Sequence, residues 1–93
     1  MLSSVVSVKF AAHLQRHIRC ADQLVEAGSL AQVLNRAFYA APELKHFVLD
    51  DQGHIRKHVA VFINGAVHRP RTDLSVVLIA GDQINVIQAL SGG

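Results

Sequence analysis

The residues with the clearest chemical potential in this sequence are the last two, Gly92 and Gly93. Glycine has no Cβ atom, so a Gly-Gly pair can pass through a channel that is too narrow for other residues and can bend freely inside it. An extended segment from Gln88 to Gly93 reaches about 20 Å at roughly 3.3 Å per residue. That length lets a terminal carboxylate enter the active site of another protein while the folded part of the chain stays outside.

The chemistry open to such a carboxylate depends on activation, because a free carboxylate is a poor electrophile. Reaction with ATP would convert it into an acyl-adenylate, which sulfide or a thiol can attack. The catalysis would then belong to partner enzymes, and the domain would present Gly93 to them. Gly-Gly is also common at frayed chain ends, so the fold that precedes the pair decides whether it indicates a functional tail.

Other chemically capable side chains lack a supporting pattern. His13 and His17 are four residues apart, and so are His54 and His58. Each pair would share one face of a helix and could hold a metal there, but both fall where the pattern indicates loop or strand. Cys20 is the single cysteine, and a lone cysteine in a strand is more often a small hydrophobic residue. We therefore expect no metal site and no catalytic residue.

Two short basic clusters, Arg56-Lys57 and His68-Arg69-Pro70-Arg71, have two readings. Each is either a solvated face or part of a docking surface for an acidic partner, which salt would weaken by screening. The sequence leaves both readings open.

Composition limits the classes of protein that remain. The chain has 93 residues, of which 51% are apolar and 17% charged, and its net charge is +2. This favours one small folded core over disorder. The charge is too balanced for a nucleic-acid footprint, no apolar run approaches the roughly 20 residues of a membrane span, and the N-terminus does not resemble a signal peptide. We expect a soluble, cytoplasmic domain without nucleic-acid or membrane partners.

The first half of the chain predicts two strands and a helix. Alternating apolar residues up to Phe10 predict a strand, and Ile18–Val25 predicts a returning strand, with Leu24 on its inner face. Ser29 and Gln32 have the spacing of a helical capping box. Apolar residues follow at helical spacing and predict a buried helix face that ends near Ala41; they are Leu30, Val33, Leu34 and Phe38.

The second half predicts a short helical turn, three further strands and two sharp turns. Val59–Ile63 is apolar at every position, which indicates a strand covered on both faces. Asn64-Gly65 is a strong hairpin signal, and Gly81-Asp82 marks another turn. The loop between them is predicted to bury Leu74 and Val77. The helical turn is predicted within Pro42–Leu49, and the last strand carries Ile84, Val86 and Gln88.

This order of elements predicts an α+β fold of the ubiquitin-like β-grasp type. A mixed sheet of four to five strands would pack on one main helix. The predicted domain spans residues 1–88, and residues 89–93 form a flexible tail ending in Gly-Gly.

The sequence also resembles the MoaD/ThiS family of ubiquitin-like sulfur carriers, most closely the longer carriers of the CysO type. The resemblance rests on Val61-Phe62-Ile63-Asn64-Gly65, on Gly81-Asp82-Gln83-Ile84 and on Gly92-Gly93, together with the lead-in from His54 to Val59. Many members have a proline shortly before the glycines, and this chain has none there.

The resemblance implies a cycle of activation and sulfur transfer. A ubiquitin-activating-type adenylyltransferase and sulfurtransferase, using ATP, would activate Gly93 and convert it into a thiocarboxylate. Leu90, Ser91 and Gly92 would pass into the partner's active site. A sulfur-accepting biosynthetic enzyme would then use the sulfur for cysteine, thiamine, molybdopterin or a siderophore-type product. The chain itself would bind no cofactor and would not be an enzyme.

Docking of the activating enzyme is predicted on the outer face of the sheet, at Val59, Val61 and Ile63, because the helix can cover only one face of this apolar strand. Burial of that strand by loops is the alternative. Two other functions also stay open. One is a ubiquitin-like modifier that joins Gly93 to lysine, and the other is a β-grasp interaction module with an inert tail.

Overall fold

The computed structural model describes residues 4–10 and 22–88. Within these ranges the chain forms five strands and two helices. In chain order they are β1 (Val5–Phe10), β2 (Gln23–Glu26), α1 (Leu30–Ala40), α2 (Pro42–Val48), β3 (Val59–Ile63), β4 (Ala66–Val67) and β5 (Gln83–Gln88).

The five strands form one mixed sheet in the order β2-β1-β5-β3-β4. The central pair, β1 and β5, is parallel, and the other three pairings are antiparallel. A leading β1–β2 hairpin, a helix and a return to the middle of the sheet make up the β-grasp arrangement that the sequence predicts.

A single apolar core lies between one face of the sheet and the two helices. The alternation of β1 buries Val6, Val8 and Phe10 on this face, and α1 covers them with the stripe that its helical spacing predicts. The rings of Phe10 and Phe38 approach to 6.0 Å between centroids. The remaining core positions on the sheet are Val25, Val59, Val61, Ile84 and Val86.

The helix boundaries follow from local chemistry. Ser29 Oγ accepts a hydrogen bond from the Gln32 backbone N–H, and Gln32 Oε1 accepts one from the Ser29 N–H, so the predicted capping box is confirmed. Helix α1 ends at Ala40, close to the predicted end. Pro42 then begins α2, which spans seven residues rather than a single turn, because proline is well tolerated at the first position of a helix.

Two apolar residues lie on the opposite side from the one predicted. Leu24 is 75% exposed and Val25 is buried, because Val25 pairs with Val6 on the core face of β1. Val77 is 71% exposed, whereas Leu74 and Leu78 are buried. Backbone hydrogen bonds from Leu30 to Val76, from Ala31 to Leu74 and from Leu78 to Gly28 hold this segment against the start of α1, in an orientation that buries Leu74 and Leu78 rather than Val77.

Of the helices in the described ranges, none is both long and apolar enough to span a lipid bilayer.

The core assignment predicts the cost of truncating one side chain. Leu34 is fully buried on α1, so Leu34→Ala should lower the free energy of unfolding by about 2–5 kcal/mol, because it removes buried methyl groups and leaves a cavity. Asn35→Ala, on the exposed side of the same helix, is the matched control. Urea unfolding measures both, and a loss below about 1 kcal/mol at Leu34 would contradict its place in the core.

Candidate functional site

The predicted tail continues from the end of β5, which is hydrogen-bonded to a neighbouring strand on each side. Strand β5 pairs with β1 through Gln83 to Val86 and with β3 through Ile84 to Gln88. Gln88, the last described residue, lies opposite Val59. The predicted site residues Leu90, Ser91, Gly92 and Gly93 lie outside the described residues, and the position of Gln88 defines where the tail begins.

The two turn motifs meet at the other end of β5. The Asn64 side chain accepts a hydrogen bond from the Gln83 backbone N–H at 2.9 Å and donates one to Asp82 Oδ1 at 3.0 Å. Asp82 Oδ2 accepts from the Ile79 N–H at 2.9 Å. Gly65 and Gly81 have φ of 88° and 90°, values that favour glycine. We refer to the contacts among Asn64, Asp82 and Gln83 as the turn clamp.

The turn clamp gives these motif residues a positioning role. They tie the first residue of β5 to the β3–β4 hairpin and to the turn before β5, at the end of the strand opposite Gln88. Because successive residues of a strand have a fixed rise, fixing the start of β5 also fixes the residue from which the tail continues.

The predicted docking residues lie on the wrong face of the sheet. Val59 is 5% exposed and Val61 is 1% exposed, and Ile63 is half-buried and packs against the core. All three face the helices, because Val61 pairs with Val86 and Ile63 with Ile84, both of which are core residues of β5. The prediction that these three residues lie on the outer face of the sheet is therefore wrong.

The outer face of the same sheet carries a different apolar cluster, which we call the outer patch: Ala60, Phe62, Val67 and Ile87. Phe62 pairs with Val67, and Ala60 pairs with Ile87, so the four residues lie on three neighbouring strands. Ala60 and Phe62 are half-buried, and Val67 and Ile87 are exposed. Ile87 directly precedes Gln88, so the patch lies beside the start of the tail.

Sequence reasoning missed the outer patch because β3 is apolar at every position, so alternation alone cannot assign its faces. The usable signal was the two-residue Asn64-Gly65 turn, which fixes the hairpin register and pairs Phe62 with Val67. Which face this pair shares depends on the register of β3 with the more distant β5, in which Phe62 lies opposite Asn85.

Among residues 4–10 and 22–88, no three His, Cys, Asp or Glu side chains come together in a way that could hold a metal ion. His13, His17 and Cys20 lie outside these ranges, so the predictions made for them stay predictions.

Comparison with known proteins decides the family. The family model described as the ThiS family matches residues 8–93, nearly the whole chain. The chain belongs to the ThiS family. The fold and family predictions are thus confirmed, and the match extends through the two terminal glycines.

Solved structures place this ThiS-family chain among β-grasp proteins. It is similar to SAMP1 from Haloferax volcanii, with 24% identity, coverage of 96% of this chain and 99% of that one, and a TM-score of 0.79. A chain in the crystal structure of the BexX/CysO complex of Amycolatopsis orientalis is similar, with 19% identity, coverage of 95% of this chain and 99% of that one, and a TM-score of 0.75. A chain in the complex of subunits 1 and 2 of the molybdopterin-converting factor from Helicobacter pylori is also similar, with 20% identity, coverage of 96% and 99%, and a TM-score of 0.61. No curated protein matches the chain.

The turn clamp predicts a pH-dependent contribution to stability. Hydrogen bonds from the Ile79 N–H and from the Asn64 side chain hold the pKa of Asp82 below its ordinary value of 3.8. A carboxyl whose pKa is lowered by folding stabilises the protein above its unfolded pKa and loses that contribution as the pH falls through its folded pKa.

Asp82→Asn should therefore lower the urea midpoint at pH 7, and its difference from the parent chain should shrink progressively as the pH falls below about 3.8. Asp51→Asn, at an exposed carboxylate away from the clamp, is the charge-matched control. If the difference in urea midpoint between Asp82→Asn and the parent chain stays constant from pH 7 to pH 3, the ionised form of Asp82 contributes nothing to folding stability.

Proposed function

We propose that the chain is a sulfur carrier that holds sulfur as a thiocarboxylate on Gly93 for the biosynthesis of a small molecule. The observation that carries this proposal is the ThiS-family match, which runs through Gly92 and Gly93. The fold supports it as well, because β5 ends at the predicted tail and the outer patch lies beside that end. Cysteine, thiamine, molybdopterin and siderophore-type products are the candidate destinations of the sulfur.

The proposed reaction has two steps on the Gly93 carbonyl. In the first, the carboxylate attacks the α-phosphate of ATP, which forms an acyl-adenylate and releases pyrophosphate. In the second, hydrosulfide attacks the carbonyl carbon, AMP leaves, and the sulfur loses its proton to give the thiocarboxylate. A partner of the ubiquitin-activating type catalyses both steps, so this chain acts as its co-substrate and needs no bound cofactor of its own.

The outer patch is the proposed docking surface for that enzyme. Apolar residues surrounded by polar ones are typical of the centre of a protein interface. The Amycolatopsis orientalis and Helicobacter pylori neighbours are both complexes with a second protein, which supports protein partners for this chain. A sulfur-accepting biosynthetic enzyme would be the second partner in the cycle.

A ubiquitin-like modifier is the second candidate function. The neighbour from Haloferax volcanii is a small archaeal modifier protein. The same acyl-adenylate would serve this function, with a lysine amine in place of hydrosulfide. Slower-migrating conjugates that react with an antibody to this chain, and that are lost with Gly93, would favour the modifier over the carrier.

The activation step predicts a strict requirement for the terminal glycines. With the ubiquitin-activating-type enzyme of the same organism, the chain should support ATP–pyrophosphate exchange, and removal of Gly92 and Gly93 should abolish it. Asn35→Ala, on the exposed side of α1 and outside the tail, is the control, since it keeps the carboxylate and both glycines. Exchange that persists without the glycines, or none with the full chain, would contradict the proposal and favour a module with an inert tail.

The outer patch predicts a position-specific effect on docking. Ile87→Asp should raise the KM for this chain in the exchange assay at least about tenfold, because an ionised side chain would have to be desolvated at the centre of the interface. Leu24→Asp is the matched control, since it introduces the same charge on the same sheet face, at the far edge strand. Equal effects of the two substitutions would show that the patch is not the docking surface.

A further inference from the structure

The positive charge of this chain is concentrated in one stretch. Four of its nine Lys and Arg residues lie between Gln52 and Thr72, where the sequence has no Asp or Glu. The whole chain has a net charge of only +2, so carboxylates outnumber basic side chains in the remainder. The proposed function uses none of these four cations: Arg56, Lys57, Arg69 and Arg71.

The fold brings the two basic clusters of this stretch together. The Ile55 N–H donates a hydrogen bond to the Arg71 carbonyl at 3.0 Å, which joins the segment before β3 to the segment after β4. Between them lies a groove of about 620 Å³. Lys57, Arg69 and Arg71 line it, and its accessible aliphatic residues are Ala60, Val67 and Pro70; Ile55, Val59 and Val61 also border it but are almost fully buried. We call this the basic groove.

The cations of the basic groove are not neutralised within the described part of the chain. Lys57, Arg69 and Arg71 are exposed, and no carboxylate of residues 4–10 and 22–88 forms an ion pair with them. Asp50 lines an adjoining depression that shares Lys57 and Arg71. Its carboxylate, however, accepts hydrogen bonds from the backbone N–H groups of Gln52 and His54.

The basic groove is continuous with the surface already proposed to dock a partner. It shares Ala60 and Val67 with the outer patch and follows β3 on the β4 side. Gln88 pairs with Val59, and neighbouring strands are about 4.8 Å apart. The residue from which the tail continues is therefore roughly two strand spacings from the groove. An apolar centre with a charged rim is the usual anatomy of a protein interface.

We propose that the basic groove binds a segment of the partner protein whose active site receives the tail. In this segment, acidic side chains are interleaved with aliphatic ones. This inference rests on the proposed function, and it specifies that the partner's surface is negatively charged where the tail enters. The cations match a carboxylate-bearing segment, and the aliphatic lining matches its apolar side chains. Complementary charge of this kind accelerates association and fixes register.

The lining of the groove favours a protein segment over nucleic acid. Single-stranded nucleic acid is usually held by aromatic side chains on which the bases stack, alongside positive charge. Among its described lining residues the groove offers no Phe, Tyr or Trp, and its one imidazole, that of His68, is held by a hydrogen bond between Nε2 and the Asp73 carbonyl oxygen. Binding of nucleic acid is therefore the outcome that would overturn the proposal.

The first test measures the groove itself. Fluorescence anisotropy would follow binding of the full chain to a labelled peptide of alternating Glu and Val, and to a labelled oligouridine of equal charge. Lys57→Glu should weaken peptide binding about fivefold or more. Lys45→Glu makes the same charge change on exposed α2, outside the groove, and should change it less than about twofold. Lys57→Arg keeps the positive charge and should bind the peptide as the parent chain does. Arg71→Glu should weaken peptide binding as Lys57→Glu does, because it changes only the side chain and keeps the backbone hydrogen bond from Ile55 to the Arg71 carbonyl.

The second test separates this inference from the proposed function. In the ATP–pyrophosphate exchange assay, Lys57→Glu should raise the KM for this chain about fivefold with kcat unchanged, and added salt should reduce the difference. If the parent chain supports exchange and Lys57→Glu leaves the KM unchanged, the inference of an acidic partner segment is overturned and the proposed function is not. No exchange with the parent chain would defeat the proposed function, and the peptide test would still decide the groove. Equal losses at Lys57 and Lys45, or tighter binding of oligouridine, would overturn the inference.

Discussion

The two-sided pairing of β5 is the interaction on which the rest of the structure depends. Its parallel ladder with β1 and its antiparallel ladder with β3 join the two hairpins into one sheet. Ile84 and Val86 place the strand at the centre of the core, and the turn clamp fixes its first residue. These contacts set the starting point of the predicted tail, so the strand that joins the sheet also determines where the tail begins.

The one-sided core explains how so short a chain offers a partner surface. Helices α1 and α2 bury one face of the sheet, and in the described ranges they leave Ala60, Phe62, Val67 and Ile87 on the other. A chain of 93 residues has room for one small core. The outer patch, the basic groove and the start of the predicted tail adjoin one another.

Local signals predicted the features that local chemistry determines. The capping box of Ser29 and Gln32 and the turns at Asn64 and Gly81 lie where the sequence placed them. The errors arose where a face depends on pairing with a distant strand. Val59, Val61 and Ile63 belong to a strand that is apolar at every position, so its faces are set by register with β5. In the sequence, the cations of the basic groove form two separate clusters. They cannot be joined from the sequence because the backbone contact between Ile55 and Arg71 is not local.

The central claim is that Gly93 carries sulfur, and the intact mass of the chain tests it most directly. The protein should be purified with its own C-terminus free from cells that contain its pathway. We expect a species heavier by one oxygen-to-sulfur exchange, with the added mass located on the C-terminal fragment. This species should disappear when the activating enzyme is deleted. A chain found only as the carboxylate, in cells whose activating enzyme is intact and expressed, would contradict the account.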